Sequence, residues 1–453
     1  MRDTSDAAYR LKQATQSRLS DLIGRYGYHN LDVPILEATE LFLRKSGGEL
    51  ASQMYSFNDP GSTSVSLRPE FTSSTMRHYL ESTADADRGS VVRWQYAGPV
   101  FRYDLGNPPP AINSGQFTQV GAELIGTRNI LADAELLSLA AEIPAELGMA
   151  DYRVRLADLD VLDSVLDTIG LTERARAFIV ANMNRIGDGA ENLAGILKRA
   201  DELHIVSGRG LPTDEVDLAD AVAGLPDGVA RSVLAGFMRW NSTPDIPLGR
   251  RSPDEIVDRL LRKLRGGDAA DAIENGLALA GQLARVHGNP VDTVAQVKSI
   301  VATAGADPHA CDRLAELVEL VGQQPSLAGK FEIDFSLARG IAYYNGIIFD
   351  VVGRDGAILG GGGRYDALAL ALGGSEPVPA LGFAYTLESL LTQMPNSETQ
   401  SSEFDAVLVR PESPGTNAAA LRRAAEIRKQ GGIAVLQLDD AASPSGYSST
   451  ITV

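Results

Sequence analysis

The sequence predicts an α+β fold: an antiparallel sheet with flanking helices, a helical insertion and a short C-terminal β-α-β piece. Three observations predict it. Residues 91–104 and 117–125 alternate along their length and flank a loop rich in proline, glycine and asparagine. Strand patterning then gives way, over about 160–330, to Ala, Leu, Asp and Arg at helical spacing. It returns at Phe331–Phe335 and at Ile347–Val352.

Each element has a local cause. Ala8, Leu11, Ala14, Leu19, Leu22 and Ile23 fall on one helical face, and Gly27 closes that helix. Tyr28–Glu37 reads as an extended strand, because Pro34 forces its predecessor into the β region. Residues 64–68 alternate as a strand, and Pro69 starts a helix that runs to about Leu80. A further helix is expected over 130–147. The inserted segment is broken at Gly170, Gly224-Leu225-Pro226, Pro253, Gly266-Gly267 and Gly305. Residues 379–392 read as a strand-to-helix unit, and 394–403 as a polar linker. A strand at Ala406–Val409, a helix over 416–430 and a strand at Ile433–Leu438 follow. The Ser-rich tail from Ala441 is expected to fray.

A chain of 453 residues exceeds the usual size of one core. The expected organisation is 1–150 and 331–393 as two parts of one domain, 151–330 as the insertion, and 404–453 as a C-terminal fragment. The composition, 44% hydrophobic and 22% charged, is that of an ordinary globular protein. No run of about 18 apolar residues suggests a membrane helix, and Met1–Asp6 lacks the apolar core of a signal peptide. The single cysteine, Cys311, permits no intrachain disulfide. The five histidines form no ligand cluster with it, so no metal site is expected. These features predict a cytoplasmic protein. A net charge of -18 repels phosphate backbones except where basic groups gather locally. There is no Gly-Lys-Ser/Thr phosphate loop.

The chemistry concentrates in a few places. Arg339–Gly346 carries a fixed cation and two adjacent phenols, Tyr343 and Tyr344, and is followed by the four glycines Gly360–Gly363 and by Arg364-Tyr365-Asp366. Arginine grips a carboxylate or phosphate in bidentate fashion, and glycines read as a turn admit a ligand where a Cβ would clash. A Gly-rich hairpin with a salt bridge explains the same residues without a ligand. Leu67–Thr72 sets Glu70 and Thr72 at a strand-to-helix junction, within reach of an amine or imidazole. Helix capping is the alternative. Gln119 and Glu123 lie four apart on one strand and share a face. That face either meets a ligand or is solvated.

Together these pieces resemble the catalytic domain of class II aminoacyl-tRNA synthetases of the histidine type, and its paralogue, the regulatory subunit of ATP phosphoribosyltransferase. Residues 24–37 resemble motif 1, which forms the dimer interface in that family. Residues 101–123 resemble motif 2, residues 379–390 motif 3, and 339–346 with 360–366 the two histidine motifs. The resemblance implies histidine binding by Glu70, Thr72, Gln119, Glu123, Arg339, Tyr343, Tyr344 and Tyr365. It also implies an ATP site of which Arg102, Asp104 and Ser389 mark the remnant.

The departures from the family pattern carry the functional expectation. Motif 3 of the synthetases ends in an arginine that holds the ATP phosphates. Here Ser389 stands in its place and supplies neither charge nor fork. The loop Gly106–Gly115 contains no arginine, and Ala342 replaces an aspartate of the first histidine motif. The chain after the linker is too short for the usual anticodon domain. The expectation is therefore a regulatory subunit of ATP phosphoribosyltransferase with no catalytic residues of its own. It would support the first step of histidine biosynthesis and its feedback inhibition. Its partners would be the short-form catalytic subunit and a second copy of itself, with histidine as ligand, no cofactor, no membrane and no tRNA. The alternatives are a divergent histidyl-tRNA synthetase, which would need ATP and Mg, and a pseudo-synthetase with another task.

Overall fold

The computed structural model describes residues 4–44, 47–82, 90–103, 115–187, 190–203, 205–206, 225, 227–241, 268–337, 344–395, 406–438 and 447–453. The chain divides into two compact units. One is built of 14–393, the other of 394–453 with the start of the first helix.

Helix α1 (Asp6–Arg25) buries Leu19, Leu22 and Ile23 on one stripe, and Gly27, at φ +82°, turns the chain out of it. The stretch expected as one strand is two short ones, β1 (His29–Asn30) and β2 (Leu36–Ala38), with Pro34 between them. Helices α2 (Thr39–Leu43) and α3 (Gly47–Gln53) lead to β3 (Ser56–Asn58) and β4 (Ser64–Leu67). Helix α4 runs Thr72–Ser82, starting two residues after Glu70. The long hairpin strands β5 (Val92–Phe101) and β6 (Gln116–Ile125) precede α5 (Ile130–Glu146).

Next come β7 (Tyr152–Asp158), α6 (Leu159–Asp167), α7 (Glu173–Ala181), α8 (Met183–Gly187), α9 (Ala190–Glu202), α10 (Asp227–Asn241) and α11 (Ala270–Ala284). The two-residue β8 (His287–Gly288), α12 (Pro290–Thr303) and α13 (Asp312–Gly322) complete this segment. The return is β9 (Phe331–Asp334), β10 (Ile347–Gly353), β11 (Ile358–Arg364), α14 (Leu368–Ala371), β12 (Ala380–Thr386) and α15 (Leu387–Gln393).

The large sheet has the order β1-β5-β6-β12-β11-β10-β7-β9-β8. Most of its pairings are antiparallel; β1–β5 and β7–β9 are parallel. Strands β2, β4 and β3 form a small separate sheet. The mixed α+β architecture agrees with the expected class. Two details do not. Strand β7, within the segment read as a helical insertion, lies between β10 and β9. Its run Tyr-Arg-Val-Arg-Leu-Ala-Asp alternates, and helical patterning on its C-terminal side masked it. The four glycines are not a turn but the middle of β11. A Cβ at Gly362 would lie 1.9 Å from the Gly382 carbonyl oxygen, so close approach of β12 excludes side chains there.

In the second unit, β13 (Ala406–Arg410), α16 (Asn417–Lys429), β14 (Ile433–Leu436) and β15 (Ser449–Thr452) form a parallel sheet in the order β14-β13-β15 with one helix. Val409, Ala420, Ala424 and Ala434 make its core. The end of the tail, expected to fray, is a strand because β13 offers it an open edge; Val407–Arg410 register with Ser449–Thr452. Among the described residues no helix is long and apolar enough to cross a membrane.

Candidate functional site

The registers of the central strands put Gln119, Gly121 and Glu123 of β6 on one face. Thr386, Ala384 and Gly382 of β12 stand opposite them, and Gly361 of β11 stands opposite Ala384. Of these, Gln119, Gly361, Gly382, Ala384 and Thr386 make the floor of a cavity of about 200 Å³. Its walls are Glu70 and Thr72 at the start of α4, Arg102 at the end of β5, and the rings of Tyr344, Tyr365 and Phe383.

Glu123 stands behind the cavity wall. It is 1% exposed and accepts three hydroxyl hydrogen bonds: Thr72 Oγ1 (2.7 Å) and Tyr96 (3.0 Å) donate to Oε1, and Tyr365 (2.5 Å) donates to Oε2. Burial pushes its pKa up to about 7, and the three hydroxyls pull it back. The Glu123 side chain occupies the space where a Cβ of residue 382 would sit, only 1.5 Å from Oε2; glycine there is a steric requirement.

Glu70 is also buried, and both its oxygens accept from the Ser73 amide at 3.1 Å. The capping alternative therefore holds, together with a place in the cavity wall. Its pKa is raised by burial, against the Ser73 hydrogen bonds and the nearby Arg102 guanidinium. Arg102 Nε donates to the Pro69 carbonyl at 2.8 Å, and its guanidinium lies over the Phe117 ring. Gln119 is 8% exposed, and its Oε1 has no hydrogen-bond partner among the described residues. A buried acceptor left open in a polar cavity is a place for a donor on a ligand.

Of the histidine-site residues expected from sequence, Glu70, Thr72, Gln119, Tyr344 and Tyr365 line one cavity, and Glu123 anchors its wall from behind Thr72 and Tyr365. Arg339, Tyr343 and Asp104 lie outside the described residues. Ser389, on α15, is not among the cavity-lining residues; its neighbour Glu388 accepts from the Thr118 amide at 2.9 Å. Sequence reasoning missed Tyr96 and Gly382. Tyr96 sits opposite Gly121 across the β5–β6 pair, which places its ring beside Glu123. Only knowledge of that register would have revealed it. Among the described residues no group of His, Cys, Asp and Glu is arranged to hold a metal ion.

The sequence model described as histidyl-tRNA synthetase matches residues 1–200 and 258–390. The chain belongs to the histidyl-tRNA synthetase family. It is 27% identical over 411 residues to the histidine–tRNA ligase of Methanocaldococcus jannaschii, covering 90% of this chain and 77% of that protein. To the histidine–tRNA ligase of Pyrococcus abyssi it is 28% identical over 377 residues, covering 83% and 69%. Among solved structures it resembles a Bacillus halodurans protein described as an ATP phosphoribosyltransferase regulatory subunit/histidyl-tRNA synthetase. The TM-score is 0.67 at 19% identity, over 100% of this chain and 96% of that one. The apo histidyl-tRNA synthetase of S. aureus gives a TM-score of 0.55 at 19% identity, over 100% and 90%. At these identities both structural likenesses speak for the shared fold.

Proposed function

We propose that this member of the family binds histidine without activating it, and serves as the regulatory subunit of an ATP phosphoribosyltransferase. The observation that carries the reading is a cavity of amino-acid size that keeps Glu70, Thr72, Gln119 and Tyr365, beside a motif 3 helix carrying Ser389 where the synthetases have arginine. Glu70 offers a carboxylate to an α-amino group, Arg102 a cation to a carboxylate, and the open Gln119 Oε1 an acceptor for a ligand N–H. Among the described residues that line the cavity, Arg102 is the only cation. In this reading the partners are the short-form catalytic subunit and a second copy of this chain. Histidine and substrate then affect each other's binding reciprocally. The Bacillus halodurans structure is described as an ATP phosphoribosyltransferase regulatory subunit/histidyl-tRNA synthetase, a description compatible with this reading.

A second reading, a divergent histidine–tRNA ligase, is favoured by the names of the curated relatives and by the retained Arg102. Histidine-dependent ATP–pyrophosphate exchange separates the two. The regulatory reading expects histidine binding by calorimetry, no exchange, and an altered rate when the short catalytic subunit is added. Exchange that rises further in Ser389→Arg would overturn it in favour of the ligase.

A further inference from the structure

Tyr365 reaches Glu123 only if the end of β11 is held in place. The residue before it, Arg364, is 4% exposed and faces away from the cavity, toward α5. Its Nη2 and Nε donate to Asp133 Oδ1 at 2.7 and 3.2 Å, and its Nη1 to the Thr127 carbonyl and Asp366 Oδ1, both at 3.2 Å. Asp133 on α5 is fully buried, and its other oxygen accepts from Arg313 on α13. One carboxylate thus ties the glycine strand to α5 and to a helix of the segment 151–330. Asp366 continues the clamp: Oδ1 accepts from the Ala380 amide at 3.0 Å, and its own amide donates to Asn345 at 2.7 Å, next to Tyr344. The cavity function uses none of these charges directly.

We propose that Asp133 is a positioning residue of the pocket: through its ion pair with Arg364 it fixes the end of β11 so that the Tyr365 hydroxyl is delivered to Glu123. The proposal rests on the cavity being the ligand pocket. A buried ion pair adds little net stability, whereas its breakage leaves an uncompensated buried charge. A merely structural Asp133 therefore lowers thermal stability when replaced. A positioning Asp133 also changes the environment of Glu123, which faces the Thr72, Tyr96 and Tyr365 hydroxyls and the Glu70 carboxylate.

The test is a pH titration of the Glu123 carboxyl carbon by NMR in the full chain, with Glu123→Gln to assign the signal. Tyr365→Phe removes one hydrogen bond to the charged form and is expected to raise the Glu123 pKa by about one unit. Asp133→Asn is expected to raise it by a similar amount, and the double variant no further, since both remove the same contact. Histidine affinity is expected to fall about tenfold in each single variant. A titration identical to wild type in a folded, less stable Asp133→Asn overturns the proposal. If that variant does not fold, Arg364→Met takes its place: it keeps much of the side-chain length and removes the ion pair, and a wild-type titration there is equally fatal. Wild-type protein that binds no histidine would sink the ligand reading alone, because the Glu123 titration still decides the role of Asp133.

Discussion

A Cβ added to Gly382 would lie 1.5 Å from Glu123 Oε2, so the Glu123 carboxylate fits behind the pocket wall only because β12 carries no side chain at that point. The replacement Gly382→Ala must push Glu123 off its three hydroxyl donors. Overpacking of this kind costs about 1–3 kcal/mol. The expected result is a lower unfolding midpoint in urea together with loss of histidine binding in calorimetry. Retained binding would show that Glu123 is dispensable.

The buried carboxylates predict a pH dependence of stability. The folded-state pKa of Glu123, about 7, lies above its ordinary value of 4.5. The folded protein therefore holds a proton that the unfolded chain releases between those values. Stability from this group is fully present below about pH 4.5 and is lost as pH rises through 7. Asp158, also buried and pushed up to about 7, acts in the same direction. For Glu123 the loss is on the order of 3 kcal/mol at full ionisation. Glu123→Gln should flatten the difference between urea midpoints measured at pH 5 and pH 8. An unchanged slope would mean that Glu123 titrates normally.

Gln119 separates ligand binding from folding. Its Oε1 has no partner among the described residues, so Gln119→Met removes a group that makes no contribution to the empty protein through that atom. Stability should not fall. Histidine affinity should drop tenfold or more, the cost of leaving a ligand donor unmet being about 1–3 kcal/mol. Calorimetry and thermal unfolding on the same sample test both halves.

Glu70 has two tasks that substitution can divide. Glu70→Gln keeps an oxygen for the Ser73 amide and loses the charge; Glu70→Ala loses both. The alanine variant should lose about 1 kcal/mol of stability, as for a missing helix cap. Histidine binding should weaken in both. Equal stability of the two variants would show that the cap contributes nothing.

The sequence alone determined the α+β class, the order of the motifs, and the choice of Glu70, Thr72, Gln119, Tyr344 and Tyr365, which meet around one cavity. These were legible because glycine, proline and alternation act locally, and because motif spacing survives without coordinates. It also set Ser389 at the position where the resemblance leads one to expect an arginine. Only the tertiary structure decided that Tyr96 donates to Glu123, that Gly382 lines the cavity and that Gly360–Gly363 is a strand. It alone assigned β7 to the large sheet, placed the C-terminal Ser449–Thr452 beside β13, and set Arg364 on Asp133, 231 positions away. Each of these depends on cross-strand register or on a partner distant in sequence. A strand's neighbours are chosen by burial of the whole sheet, and no local pattern records them.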